Sequence, residues 1–223
     1  MRVPFKNIRA VLFDAGNTLI YPDYAFVQKL LAERSAEVRI ETLKQLEFEA
    51  KVAAQSSQVQ KPWKEYFSHW LTSAGMSNET IPELLSILWN RHREKNLWSV
   101  LDEDAIKTLA ELKRRHFLSG VISNSDGRVE KQLSNLGLSK YLDIILDSEI
   151  IGISKPDAGI FKIALNELDV KPDSTIFIGD SYKHDVVAAQ QVGMHAILFD
   201  PLKKLEHHDC LRINRLTQVF DFI

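Results

Sequence analysis

Residues 9–20 read RAVLFDAGNTLI, and the order of polarity along them decides the fold. Arg9 to Phe13 carries an apolar run of the kind buried on both faces of a parallel sheet. The run stops at one carboxylate, Asp14, and a Gly16-Asn17 pair then signals a tight loop. Working outward, the pattern after Trp98 alternates between helices and strands. Asp102 to Arg115 is expected to be helical with Ile106, Leu109 and Leu112 facing inward, followed by a strand at Phe117–Ile122 and a helix at Gly127–Leu136. Strands at Ile144–Leu146, Thr175–Ile178 and His195–Phe199 alternate with helices at Ala158–Leu168 and Asp185–Val192, and Thr217–Asp221 reads as a weaker last strand. This rhythm is that of an α/β fold, a Rossmann-like parallel sheet with helices on both faces.

Between Pro22 and Trp98 the sequence has a different character. Phe26, Leu30 and Leu31 recur at helical spacing, as do Leu43, Leu46 and Ala50; Phe67, Trp70, Leu71 and Ala74; and Ile81, Leu84, Leu85 and Leu88. An all-helical unit is therefore inserted into the sheet domain. The boundaries fall at residues 1–20 with 99–223 for the split α/β core, and 21–98 for the insertion. All four tryptophans, Trp63, Trp70, Trp89 and Trp98, lie in the insertion. Packing among its own helices accounts for them; an apolar wall over a substrate, or a face for a homodimer, are the alternatives.

Composition narrows the function. The chain has 223 residues, 45% hydrophobic and 26% charged, with a net charge of −2. Near neutrality argues against nucleic acid as a partner. The single cysteine, Cys210, excludes an internal disulfide and a CxxC site. No run approaches a membrane span, and MRVPFK at the start lacks the features of a signal peptide, so a cytoplasmic location is expected. There is no GxGxxG or GxxxxGK loop for a nucleotide and no GxSxG nucleophile.

In an open parallel sheet, ligands sit beyond the carboxyl ends of the strands. Polar residues follow apolar runs at four such places: Asp14 after AVLF, Ser123 after SGVI, Lys155 after IGIS and Asp180 after IFIG, with Asp185 five residues on. In this order and spacing the chain resembles the haloacid dehalogenase-like hydrolases, most of them magnesium-dependent phosphatases with an aspartate nucleophile. The family's motifs align with Asp14 to Leu19, with Ser123-Asn124, with Lys155-Pro156, and with Gly179, Asp180 and Asp185. The inserted helical unit resembles the small cap of one large subgroup. The resemblance implies that Asp14 is the nucleophile. It implies that Mg²⁺ is held by Asp14, the Gly16 carbonyl and Asp180, with Asp185 a further or water-mediated partner. Ser123, Asn124 and Lys155 would grip the phosphoryl group of a small phosphorylated molecule. The chemistry is coherent, because a carboxylate attacking a phosphate dianion needs a hard cation to offset the charge.

One position departs from the family. Its phosphatases carry a second aspartate two residues after the nucleophile, as acid and then base; here that residue is Gly16. Losing positioned acid–base help costs about 10²- to 10⁴-fold in rate. Three readings stay open. One is a phosphatase that draws the group from elsewhere (Asn17, Tyr21, Asp23, His69 and His92 are candidates) or that acts on an activated phosphate. Another is a dehalogenase- or phosphonatase-type hydrolase, the latter needing a Schiff-base lysine from among Lys29, Lys44, Lys51, Lys61 and Lys64. The third is a slow binding or regulatory relative. Tyr182 is placed at the mouth of the pocket and His184 at a helix start beside the site. The run His207-His208-Asp209-Cys210 reads as a loop rather than a metal site. Arg114, Arg115 and His116 are explained by the helix dipole.

Overall fold

A computed structural model describes residues 4–55, 62–206 and 208–223, so that Lys61 and His207 lie outside the described residues. The chain runs from β1 (Ala10–Phe13) through β2 (Ile20–Pro22) into four helices, α1 (Tyr24–Ala32), α2 (Ile40–Gln55), α3 (Pro62–Ser73) and α4 (Ile81–Lys95). It returns through β3 (Trp98–Leu101) to α5 (Ala105–Arg114), β4 (Leu118–Ser123), α6 (Val129–Asn135), β5 (Ile144–Asp147), α7 (Ser148–Ile151) and α8 (Ala158–Glu167). β6 (Thr175–Gly179), a π-helical turn at Tyr182–Val187, α9 (Ala188–Gln191), β7 (His195–Phe199) and β8 (Arg212–Ile213) complete it.

Six strands form one parallel sheet in the order β5-β4-β1-β6-β7-β8. β1 is fully buried because it is central: Phe13 lies opposite Val121 of β4 on one side and Ile178 of β6 on the other. Strands after β1 are laid down first on the β4 side and then on the β6 side. The order therefore reverses at β1, which opens a crevice at its carboxyl end. Phe161 of α8 meets Phe177 of β6 edge to face, with centroids 5.1 Å apart, in the layer beneath.

The chain divides into two compact units, residues 1–21 with 100–223, and residues 22–99. Within the second unit α2 lies against α3. The Trp70 indole N–H donates to the Leu43 carbonyl at 3.0 Å, and the Tyr66 hydroxyl donates to the buried Glu47 carboxylate at 2.5 Å. Trp63 stacks on Trp89 at 4.7 Å, and Trp98 sits among Tyr66, Phe67 and His92. Each tryptophan thus has aromatic neighbours inside its own unit.

Three expectations need correction. Thr217–Asp221 is not a strand: Leu216–Asp221 is a 3₁₀ helix, and the last strand is β8. Its buried residues Leu216 and Val219, with Phe222 just past its end, recur every third position, the 3₁₀ period, and the Gln218 side chain accepts from the Asn214 and Arg215 N–H groups. Ile106 is 44% exposed, and α5 instead buries Ala105, Thr108, Leu109 and Leu112. β2 and β3 pair as a short ribbon where the chain crosses between units. At three and four residues they are too brief for a period to register. No helix among the described residues is long and apolar enough to cross a membrane.

Candidate active site

The site is assembled at the carboxyl ends of β4, β1 and β6, three neighbouring strands. Asp14 is the first residue past β1, and its N–H continues the ladder by donating to the Ile178 carbonyl at 2.8 Å. The chain then turns sharply. Asn17 adopts a left-handed backbone (φ 59°), and the Leu19 and Ile20 N–H groups both return to the Ala15 carbonyl. Gly16, half-buried, lies within this turn. Ser123 is the last residue of β4 and is buried.

After β6 the loop folds back on itself. The Asp185 carboxylate accepts from the Ser181 N–H at 2.8 Å, and the Ser181 hydroxyl accepts from the His184 N–H at 3.3 Å. Asp185 thereby comes to lie over Gly179, where an added Cβ would stand 2.4 Å from its carboxyl carbon. Only glycine at that point lets the carboxylate reach its place.

Lys155 binds the parts together. Its ammonium, buried, donates to Asp14 at 2.7 Å and to Asp185 at 2.6 Å, and stands 5.2 Å from the centre of the Phe177 ring. Asp14, Asp180 and Asp185 each offer an oxygen, all within 4.8 Å of one another, and all three residues are buried. One cation thus bridges two of three buried, clustered carboxylates. Burial pushes the Asp14 carboxyl up to about 7, opposed by the Lys155 charge and reinforced by Asp185 and Asp180. Burial also works against the Lys155 charge, but Asp14 and Asp185 outweigh it and hold the ammonium above its usual range. The remaining negative surplus and the all-oxygen donor set fit a small divalent cation such as Mg²⁺.

The expected residues Asp14, Lys155, Asp180 and Asp185 are therefore brought together, with Ser123 and Gly16 on the adjoining strand end and turn. The Asn124 side chain is engaged by the main chain of Lys155. Its amide nitrogen donates to the Lys155 carbonyl, and its oxygen accepts from the Lys155 N–H, both at 2.8 Å. Ser181, buried at the pivot of the β6 loop, was not singled out from the sequence, although a serine three residues before His184 matches a helix-cap pattern. Tyr182 stacks on His208 at 3.9 Å, nearly parallel, which joins two features that look unrelated along the chain. Arg114 and Arg115 both bind Glu111 at 2.7 Å.

This fold and site define an α/β protein of the doubly wound kind, with a buried carboxylate cluster at its switch point and a helical insertion. A family model described as haloacid dehalogenase-like hydrolase matches residues 11–199, and the chain belongs to that family. Among its relatives is haloacid dehalogenase-like hydrolase domain-containing protein 3 of Mus musculus, 36% identical over 137 residues, which are 61% of this chain and 54% of the relative. The chain thus spans about half the length of that relative. Glyceraldehyde 3-phosphate phosphatase of Methanocaldococcus jannaschii is 28% identical over 226 residues, covering 97% of each chain. The fold is shared with the HAD hydrolase YfnB of Bacillus subtilis, solved bound to magnesium, at a TM-score of 0.69 and 21% identity over 97% of this chain and 98% of that one.

Proposed function

We propose that the chain is a Mg²⁺-dependent phosphatase of a small phosphorylated molecule, working through an aspartyl-phosphate at Asp14. The observation that carries this reading is the buried Asp14–Lys155–Asp185 bridge with Asp180 beside it. Asp14, Asp180 and Asp185, with the Gly16 carbonyl, would hold the metal. Bound there, Mg²⁺ supplies charge neutralisation of the phosphoryl group.

The chain's own residues do the rest. An Asp14 carboxylate oxygen attacks phosphorus, forming the P–O bond to the protein as the bond to the leaving oxygen breaks. Lys155 and Ser123 hold the phosphoryl oxygens, and Lys155 keeps Asp14 oriented for attack. Water then attacks the aspartyl phosphate, releasing inorganic phosphate and restoring Asp14. Gly16 has no side chain to protonate the leaving oxygen, so substrates with good leaving groups, such as acyl phosphates, suit this site best. The expected test result is release of phosphate from acyl phosphates faster than from alkyl esters, abolished by EDTA and by Asp14→Asn. Hydrolysis that persists in EDTA or in Asp14→Asn contradicts the proposal. Halide release from a 2-haloacid without magnesium would assign the chain to dehalogenase chemistry.

A further inference from the structure

Lys155 is reached by a loop between α7 and α8, and its ammonium sits at the end of a side chain with four rotatable bonds. Two carboxylates fix the far end. The near end, the Lys155 peptide, lies outside any helix or strand, so its N–H and C=O need partners from elsewhere. Asn124 supplies both, and its side-chain amide takes the place of a neighbouring strand's peptide. The orientation of that amide is fixed, because turning it over would set oxygen against oxygen and N–H against N–H. Asn124 also follows Ser123 directly, so the pair of bonds ties the end of β4 to the lysine loop. A second stitch runs beside it: the Ser125 N–H donates to the Ser148 hydroxyl at 3.1 Å.

We infer that Asn124 is a positioning residue that acts through Lys155, setting the separation between the Lys155 ammonium and the Ser123 hydroxyl, rather than a side-chain ligand of the phosphoryl group. Its oxygen and one amide hydrogen are already engaged by the Lys155 main chain. Because Asn124 is itself exposed, these bonds rather than burial hold it in place. Asn124→Ala removes both. Asn124→Asp keeps an acceptor but turns an oxygen toward the Lys155 carbonyl, so it damages the contact as much as alanine does.

Two measurements test this, and the second rests on the phosphatase reading. The first needs no ligand: the acetylation rate of Lys155 by acetic anhydride, followed by peptide mapping with the remaining lysines as reference. Both Asn124→Ala and Asn124→Asp are expected to raise it at least about fivefold, the scale of one net hydrogen bond out of the two lost or disrupted. A rate unchanged in either variant overturns the inference. The second is calorimetric binding of inorganic phosphate with Mg²⁺. Asn124→Ala should weaken it about fivefold in the native background and less than about twofold in a Lys155→Ala background, where nothing is left to position. An equal loss in both backgrounds makes Asn124 a direct ligand and overturns the inference. Native protein that binds no phosphate contradicts the phosphatase reading instead, and the acetylation result then decides the role of Asn124 alone.

Discussion

Asp14 is pulled in two directions: burial favours its neutral form, while the work assigned to it requires the carboxylate. Its carboxyl is pushed from 3.8 to about 7 in the metal-free fold. The folded chain therefore binds this proton more tightly than the unfolded chain. Its contribution to stability is full below 3.8 and is lost as the pH rises through about 7. Asp102, raised by burial to about 6, acts with the same sign. In EDTA the melting temperature is expected to fall between pH 5 and pH 8, and Asp14→Asn should melt progressively higher than the native chain across that window. A gap between the two that stays constant with pH would mean that Asp14 titrates normally. Asp14, Ser123, Lys155 and Asp180 were legible as candidates because each follows an apolar run, and Asp185 only through its spacing from Asp180. Their linkage was not. Nothing at position 155 announces that its ammonium lies 2.7 Å from a residue 141 positions away, or that Asn124 grips its peptide.

At the scale of elements, five of the six strands of the sheet were read to within a residue or two, because buried parallel strands are unbroken apolar runs bounded by polar residues, and only the two-residue β8 was missed. The C-terminal segment Thr217–Asp221 resembles a strand because it carries the β-favouring Val219 and Phe220, while its burial follows a period of three. What secures that end is Arg215. Its guanidinium makes two bonds to the Asp104 carboxylate, at 2.9 and 3.0 Å, and Thr217 adds a third at 3.3 Å. The Arg215 bonds hold the Asp104 carboxyl below its ordinary range. Asp104 is buried whereas Arg215 is 56% exposed, so the cost of breaking the pair falls on the carboxylate. Arg215→Ala is expected to lower the urea midpoint at pH 7, because it leaves the buried Asp104 carboxylate without its cation. The loss should shrink as acid protonates Asp104. An unchanged midpoint would show that the tail is held by its apolar contacts alone.

For the whole molecule, the division into a split sheet domain and an inserted helical unit was visible as a change of period from one part of the sequence to the next. The concentration of tryptophan has a packing cause. Trp70 is 1% exposed and bonded to the Leu43 carbonyl, whereas Trp89 is 37% exposed and stacked on Trp63. Trp70→Ala is therefore expected to cost about 3–5 kcal/mol, and Trp89→Ala less than about 1 kcal/mol, in denaturant unfolding followed by the fluorescence of the remaining tryptophans. Equal costs would assign Trp89 a role that its packing does not explain. The near-neutral net charge of −2 also takes on a local meaning. Charge is concentrated in one buried cluster, where Asp14, Asp180 and Asp185 gather and Lys155 bridges two of them.

The nucleophilic role proposed for Asp14 in that cluster is tested by covalent trapping. The Mg²⁺-loaded protein would be mixed with an acyl phosphate, quenched in acid within one turnover and mapped by mass spectrometry. The expected result is a phosphoryl group on the peptide carrying Asp14, absent from Asp14→Asn and from protein kept in EDTA. Turnover of the acyl phosphate with no phosphoryl group on Asp14, or with one on another residue, would contradict it.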